Sequence, residues 1–190
     1  HGSAYANYAV AYCDTLIAIG ARFDDRVTGK VDAFAPHAKI IHIDIDPAEI
    51  GKVKIPLVPV VGDCKRIVPE INKLVSYKPR SEWFDQINRW RQEFPMDYPH
   101  DEELRAEYVI ERISALTNGE AIVTTDVGQH QMWAAQFFKC KFPRQFITSG
   151  GLGTMGFGLP AAIGAQIGCP DREVWCISGD GSIQMCSQEL

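Results

Sequence analysis

In the first part of the chain, short apolar runs alternate with segments whose apolar residues recur at helical spacing. Three runs are of strand length, and each ends beside Gly, Asp or Pro, the residues that commonly terminate strands. Apolar runs without alternation are typical of strands that are buried on both faces of a parallel sheet. The flanking segments carry their apolar residues at helical spacing. The predicted order is helix 4–13, strand 15–20, strand 39–46, strand 57–61 and helix 64–74, which closes a first α/β unit near Tyr77.

The composition changes between Lys78 and Glu103, where prolines and charged residues surround one aromatic helical segment. This change predicts a linker that contains a single helix. Strands and helices then alternate again, with short connections, as in a doubly wound parallel sheet. The predicted elements are helix 104–117, strand 121–126, helix 129–138, strand 145–148, helix 156–167 and strand 173–178. We therefore expect two doubly wound α/β units, 1–77 and 104–190, on either side of the linker 78–103.

Composition and charge exclude several classes of partner. The chain of 190 residues is 46% hydrophobic and 23% charged, as in ordinary globular proteins. Its net charge of -5 leaves no basic stripe for nucleic acid or for an anionic membrane surface. No apolar stretch approaches the roughly 20 residues that cross a bilayer. We therefore expect the protein to bind neither nucleic acid nor a membrane.

The six cysteines have neither CxxC spacing nor neighbouring histidines, which predicts reduced thiols in a cytosolic type of compartment. The first residues contain no basic stretch followed by an apolar run, so we expect no targeting leader within this segment. It lacks an initiator Met and stops at Leu190 where a helix begins, so we expect a piece of a longer protein.

The clearest candidate for chemistry is the segment Gly179-Asp180-Gly181-Ser182, which directly follows an apolar run. A carboxylate at the carboxyl end of a strand can coordinate a hard cation such as Mg²⁺. Flanking glycines let backbone N–H groups approach a diphosphate at the start of a helix. The alternative is an ordinary strand-to-helix turn with Asp180 as the cap of the helix.

Two further segments have the composition of ligand-binding loops. Five glycines lie within residues 150–158, a density that allows the backbone to pack against a ligand or, alternatively, against a neighbouring helix. Residues 125–131 lie where a strand gives way to a helix, the usual position of ligand groups in open α/β sheets. His130 within this segment is weak support by itself, because a lone histidine is more often structural.

Together these three segments resemble the thiamine-diphosphate-binding domain of the acetohydroxyacid synthase family. The resemblance implies that Asp180 binds Mg²⁺ and that Gly153 offers its carbonyl to the aminopyrimidine. It also implies that Met155 bends the cofactor into a V shape, although simple core packing is the alternative for this side chain. The diphosphate contacts that it implies are Gln129, His130, Gly181 and Ser182.

The segments GARFDDRVTG at 20–29 and HIDIDPAEIGK at 42–52 are similar to the flavin-binding domain of the same family. On composition alone, the first is equally compatible with a solvated loop. No GxGxxG fingerprint is present, so the FAD site is implied by the resemblance only. The implied contacts are His1, Gly2, Gly20, Arg22, Asp44, Ile45, Asp46 and Asp63. Asp25 and Arg26 would face the thiazolium, where the Arg26 guanidinium can bind the carboxylate of a second 2-oxo acid in bidentate fashion.

The resemblance implies a transferase of branched-chain amino-acid biosynthesis. Such an enzyme decarboxylates pyruvate and transfers a hydroxyethyl group to a second pyruvate or to 2-oxobutanoate, with FAD in a structural role. The family implies a homodimer or larger homo-oligomer, a separate regulatory subunit, and a cytoplasmic location in bacteria or an organellar one in eukaryotes. The activating glutamate and the second Mg²⁺ ligand would lie outside this chain, which is therefore expected to be inactive alone.

Two other classes of function stay open on the sequence. One is a different decarboxylase, carboligase or pyruvate oxidase that uses thiamine diphosphate. The other is a nucleotide-binding module without catalysis.

Overall fold

Two parallel three-stranded sheets, one in each half of the chain, organise the protein. A computed structural model describes residues 2–190 and divides them into the units 2–96 and 97–190. Helices accompany the strands in both units, so the predicted α/β class with two parallel sheets is confirmed. Within the described part of the chain, no helix is both long and apolar enough to span a membrane. All six cysteines are free thiols.

The first unit arranges its strands in the order in which they occur along the chain. Its elements are α1 (Ala4–Tyr12), β1 (Thr15–Ile19), α2 (Asp25–Thr28), a 3-10 helix (Val31–Ala33), β2 (Lys39–Asp44), β3 (Val58–Val61), α3 (Cys64–Leu74) and α4 (Ser81–Glu93). β2 is the central strand and pairs in parallel with β1 and β3. Ile40 and Ile43 are almost fully buried, as expected for the central strand of a sheet. The carboxyl ends of all three strands therefore share one edge.

Aromatic side chains explain why α4, the helix of the predicted linker, packs on α1. Tyr8 contacts both Trp90 and Phe94, with ring centroids 5.6 and 5.3 Å away. Tyr12 stacks on Trp90 at 5.7 Å. Each aromatic pair adds about 0.5–1.5 kcal/mol to the burial of its surface. The segment is thus attached to the first unit by its helix.

The second unit places its first strand in the middle of the sheet. Its elements are α5 (Ala106–Leu116), β4 (Ile122–Thr125), α6 (Gln129–Phe137), β5 (Phe146–Thr148), α7 (Gly158–Gly168), β6 (Val174–Ile177), α8 (Asp180–Gln184) and a 3-10 helix (Ser187–Glu189). The strand order is β5-β4-β6, and all pairs are parallel. The chain moves from β4 to one side and then returns to the other, so the order reverses at β4. Ligands in open α/β sheets bind at such a reversal, beyond the carboxyl ends of the strands.

Gln145 fixes the amino-terminal edge of this second sheet. Its side chain has no exposed surface. The Oε1 atom accepts hydrogen bonds from the backbone N–H groups of Lys141 (2.7 Å) and Phe142 (2.6 Å). The Nε2 atom donates to the carbonyls of Gly119 (3.0 Å) and Ala121 (3.1 Å). One amide therefore satisfies four backbone groups where the chain enters β4 and β5.

Replacing Gln145 with Leu should lower the free energy of unfolding by about 3 kcal/mol, because buried backbone groups lose their partners. Urea denaturation of the full-length protein measures this change. Gln166→Leu is the matched control: the Gln166 amide also donates to backbone carbonyls, but it is exposed and water can replace it. A similar loss in both variants would contradict the assigned role.

Candidate functional site

The carboxylate of Asp126 joins the ends of β4 and β6 to the glycine-dense segment. Asp126 directly follows β4 and is completely buried. Its Oδ1 atom accepts from the backbone N–H groups of Gly156 (2.6 Å) and Phe157 (3.1 Å). Its Oδ2 atom accepts from the Ser178 hydroxyl, which follows β6, at 3.0 Å. This one side chain thus organises the crevice where the strand order reverses.

A close approach of α7 to β4 explains one of the glycines of the dense segment. A Cβ atom at Gly158 would lie 2.8 Å from the Asp126 backbone N and Oδ2 atoms. The Gly158 carbonyl accepts from the Thr124 hydroxyl at 3.0 Å. Gly153 and Gly156 have positive φ angles of 68° and 88°, which favour glycine at both positions. Part of the glycine density is therefore structural.

His130 fills the space between the turns that follow β4 and β6. A Cβ atom at Gly128 or at Gly179 would lie 2.8 Å from its ring. Its Nε2 atom is buried and has no hydrogen-bond partner among the described residues. Burial lowers the pKa of His130, whereas the nearby charges of Asp126 and Asp180 act in the opposite direction. The ring is thus a neutral donor or acceptor beside the crevice, with one nitrogen unused.

Asp180 begins α8 with an exposed carboxylate that makes no hydrogen bond or ion pair to any described residue. Ser182 is buried instead, and its hydroxyl donates to the Val127 carbonyl at 3.3 Å. The Ser182 side chain therefore links α8 to the turn after β4. Only Asp180 of this pair presents an unpaired side-chain oxygen.

The three segments singled out in the sequence come together at this edge of the sheet. A Cβ atom at Gly181 would lie 3.7 Å from the Met155 methyl group. A Cβ atom at Gly153 would lie 3.8 Å from the Val127 side chain. Met155 is 40% exposed, which argues against the alternative that it merely packs in a core. Gln129 is also exposed, at the first position of α6.

The predicted flavin contacts line up along the carboxyl edge of the first sheet. Gly20, Asp44 and Asp63 follow or end β1, β2 and β3. The backbone N–H groups of Asp46 and Lys65 bind the Oδ1 atoms of Asp44 and Asp63, each at 2.9 Å. The other oxygen of Asp63 makes no hydrogen bond within the described residues, whereas that of Asp44 lies 4.0 Å from His42 Nε2 on a side chain that is only 12% exposed. Such oxygens suit the hydroxyl groups of a ribose or ribityl chain.

The remaining predicted flavin contacts are less constrained. Gly2 is exposed, and Ile45 is 69% exposed. Arg22 forms an ion pair with Asp24 at 3.2 Å. Asp46 is exposed and accepts from the backbone N–H of Ala48. His1 lies outside the described residues.

Arg26 projects from the short helix α2 into solvent. Asp24 caps this helix by accepting from the backbone N–H groups of Arg26 and Val27, each at 3.1 Å. The Arg26 side chain is 88% exposed, and its Nε atom lies 4.0 Å from Asp25. An exposed guanidinium on a capped turn is available for an anionic ligand.

Sequence reasoning gave no role to Asp126, Ser178 or His42. The available signal for Asp126 was an acidic residue at the end of a fully buried strand. A cavity of about 620 Å³ lies elsewhere, at the amino-terminal edge of the second sheet, beside Ser114, Gly119 and Lys139. No group of three or more His, Cys, Asp or Glu side chains within residues 2–190 can hold a metal ion by itself.

Two protein-family models match the chain. The model described as thiamine pyrophosphate enzyme, central domain, matches residues 1–71. The model described as thiamine pyrophosphate enzyme, C-terminal TPP binding domain, matches residues 126–190. The second match contains Asp126, the glycine-dense segment and Asp180, which the structure brings together.

Curated proteins align with the whole chain. It is 55% identical to a protein named acetolactate synthase large subunit from Pyropia yezoensis, with 100% of the chain and 33% of that protein aligned. It is 52% identical to a chloroplastic acetolactate synthase from Arabidopsis thaliana, with 100% of the chain and 29% of that protein aligned. The chain thus spans about a third of the length of these relatives.

Proposed function

Because the chain belongs to the thiamine pyrophosphate enzyme family, we propose that it is part of the catalytic large subunit of an acetolactate synthase. This enzyme, also called acetohydroxyacid synthase, decarboxylates pyruvate and transfers the hydroxyethyl group to a second pyruvate or to 2-oxobutanoate. The product enters branched-chain amino-acid biosynthesis. The observation that carries the proposal is the meeting of Asp180, His130 and the glycine-dense segment at the β4–β6 crevice.

The residues at this crevice fit thiamine diphosphate and Mg²⁺. The Asp180 carboxylate has no competing partner and suits a hard cation. The unpaired Nε2 atom of His130 would bond with a diphosphate oxygen, and Gln129, Gly181 and Ser182 would supply the other diphosphate contacts. Gly153 and Met155 would seat the aminopyrimidine. When bound, the cofactor supplies the electron sink for decarboxylation of a 2-oxo acid.

FAD is proposed at the carboxyl edge of the first sheet. Gly20, Arg22, Asp44 and Asp63 would contact it there, and the unpaired second oxygen of Asp63 supports this assignment. His1, Gly2, Ile45 and Asp46 would complete the site. The flavin would have a structural role and would take no part in the net reaction.

The assembly is proposed by similarity to the same enzymes. We expect at least a homodimer, a separate regulatory subunit, and no activity from residues 1–190 alone. The location would be cytoplasmic in a bacterium and organellar in a eukaryote; the chloroplastic names of several relatives fit the second case.

Substitution of Arg26 tests the carboligase function against related decarboxylases. Arg26→Ala in the full-length protein should reduce carboligation about 10- to 100-fold, because a charged hydrogen bond to the second 2-oxo acid is lost. Decarboxylation of the first pyruvate should fall far less. Measuring acetolactate formation and carbon dioxide release in the same sample gives both rates.

Two variants complete this test. Arg26→Lys keeps the charge but loses bidentate binding. Its carboligation rate should therefore lie between that of Arg26→Ala and that of the natural protein. Arg66→Ala removes another exposed arginine, on α3, and should change neither rate. Equal losses of decarboxylation and carboligation in Arg26→Ala would overturn the proposed role.

A further inference from the structure

A histidine occupies a position of the first sheet where an aliphatic residue is expected. His42 lies on the central strand β2, between Ile41 and Ile43, and its side chain has no exposed surface. Burial of a polar ring costs free energy unless its nitrogens are satisfied. Residues that break a local packing rule in this way are concentrated at functional sites. His42 therefore calls for a specific reason.

One ring nitrogen of His42 binds the segment that leads to α2. Its Nε2 atom lies 3.0 Å from the carbonyl oxygen of Ala21. A carbonyl can only accept, so Nε2 carries a hydrogen and is the donor. The Nδ1 atom is buried and has no partner among the described residues. The protein thus keeps the contact to Ala21 at the cost of an unsatisfied nitrogen.

The ring of His42 also supports the same segment by packing. It lies edge-on to Phe23, with ring centroids 4.9 Å apart. Phe23 is only 6% exposed and packs in turn against Phe34 at 5.9 Å. Asp24, the cap of the helix that carries Arg26, follows immediately. The backbone on both sides of Arg22 is thereby attached to β2 through His42.

We propose that His42 is a positioning residue for the second 2-oxo acid. By donating from Nε2 to the Ala21 carbonyl and packing under Phe23, it fixes the segment that presents Arg26. This inference rests on the proposed function, because it takes the carboxylate of the second 2-oxo acid as the ligand of Arg26. His42 itself touches no substrate.

Three substitutions of His42 in the full-length protein separate hydrogen bonding from packing. His42→Gln places an amide donor close to the position of Nε2. His42→Asn is too short to reach Ala21, and His42→Phe keeps a ring without a donor. We expect Asn and Phe to raise the KM for the second 2-oxo acid about 10-fold and to lower the ratio of carboligation to decarboxylation. Gln should restore most of both.

Limited digestion with trypsin gives a readout that does not depend on activity. The bonds after Arg22 and Arg26 should be cut faster in the Asn and Phe variants than in the Gln variant. Ile43→Val is the matched control, because it trims a neighbouring buried side chain of β2 that makes no hydrogen bond to the segment. It should change neither cleavage at these two arginines nor the rate ratio.

The outcomes separate this inference from the function on which it rests. The positioning role alone would be overturned by the following combination of results. Arg26→Ala loses carboligation, but His42→Asn and His42→Phe keep the natural KM and the natural ratio of carboligation to decarboxylation. The positioning role would also be overturned if His42→Gln had the same KM and rate ratio as His42→Asn. No preferential loss of carboligation in Arg26→Ala would overturn the proposed function instead. If His42→Phe does not fold, the comparison of Asn with Gln decides.

Discussion

Replacing Asp180 with Asn in the full-length protein should weaken Mg²⁺-dependent binding of thiamine diphosphate by about 100-fold or more. Mutation of residues that only support a metal ligand typically lowers metal affinity 10- to 100-fold. Removing the charge of the ligand itself should therefore lower the affinity by about 100-fold or more. The carboxylate is exposed and has no structural partner, so the fold should stay intact. Calorimetric titration with thiamine diphosphate at fixed Mg²⁺ measures the affinity.

Two controls sharpen this experiment. Asp171→Asn removes the charge of another exposed aspartate, in the turn before β6, and should leave the affinity unchanged. Titration of the natural protein without a divalent cation should reproduce the weak binding of Asp180→Asn. If the natural protein binds the cofactor equally well with and without Mg²⁺, and Asp180→Asn binds as tightly, the assignment of Asp180 and the catalytic interpretation both fail.

The local elements were predictable because each depends on a short stretch of sequence. The apolar run of β2 lies where the structure has a strand, since strands buried in parallel sheets tolerate few polar residues. The helix predicted from residue 156 begins instead at Gly158. The reason is not local: Asp126 binds the N–H groups of Gly156 and Phe157 and holds them outside the helix.

The contacts that build the site were not predictable, because they join residues that are distant in sequence. Asp126 meets Gly156 across 30 residues and Ser178 across 52 residues. Strand order decides these meetings, and no pattern within the sequence states that β4 lies between β5 and β6. Likewise, His42 lies within an apolar run, and only its contacts with Ala21 and Phe23 suggest a role.

Asp126→Ala should be the most damaging substitution for the second unit. It leaves the N–H groups of Gly156 and Phe157 and the hydroxyl of Ser178 without their acceptor. We expect the free energy of unfolding to fall by about 3 to 5 kcal/mol, because buried donors lose hydrogen bonds to a carboxylate. The affinity for thiamine diphosphate should fall as well, since the glycine-dense segment loses its attachment to β4. Urea denaturation and cofactor titration of the full-length protein measure the two effects.

A graded series tests whether these hydrogen bonds cause the loss. Asp126→Asn keeps one oxygen for the N–H groups of Gly156 and Phe157, and its amide can donate to the Ser178 hydroxyl, so much of the stability should return. Ser178→Ala removes one of the three bonds and should cost about 1 kcal/mol. Losses of equal size in Asp126→Asn and Asp126→Ala would show that the negative charge matters rather than the hydrogen-bond pattern. If Asp126→Ala lowers the free energy of unfolding by less than Ser178→Ala does, Asp126 is not the residue that organises the crevice.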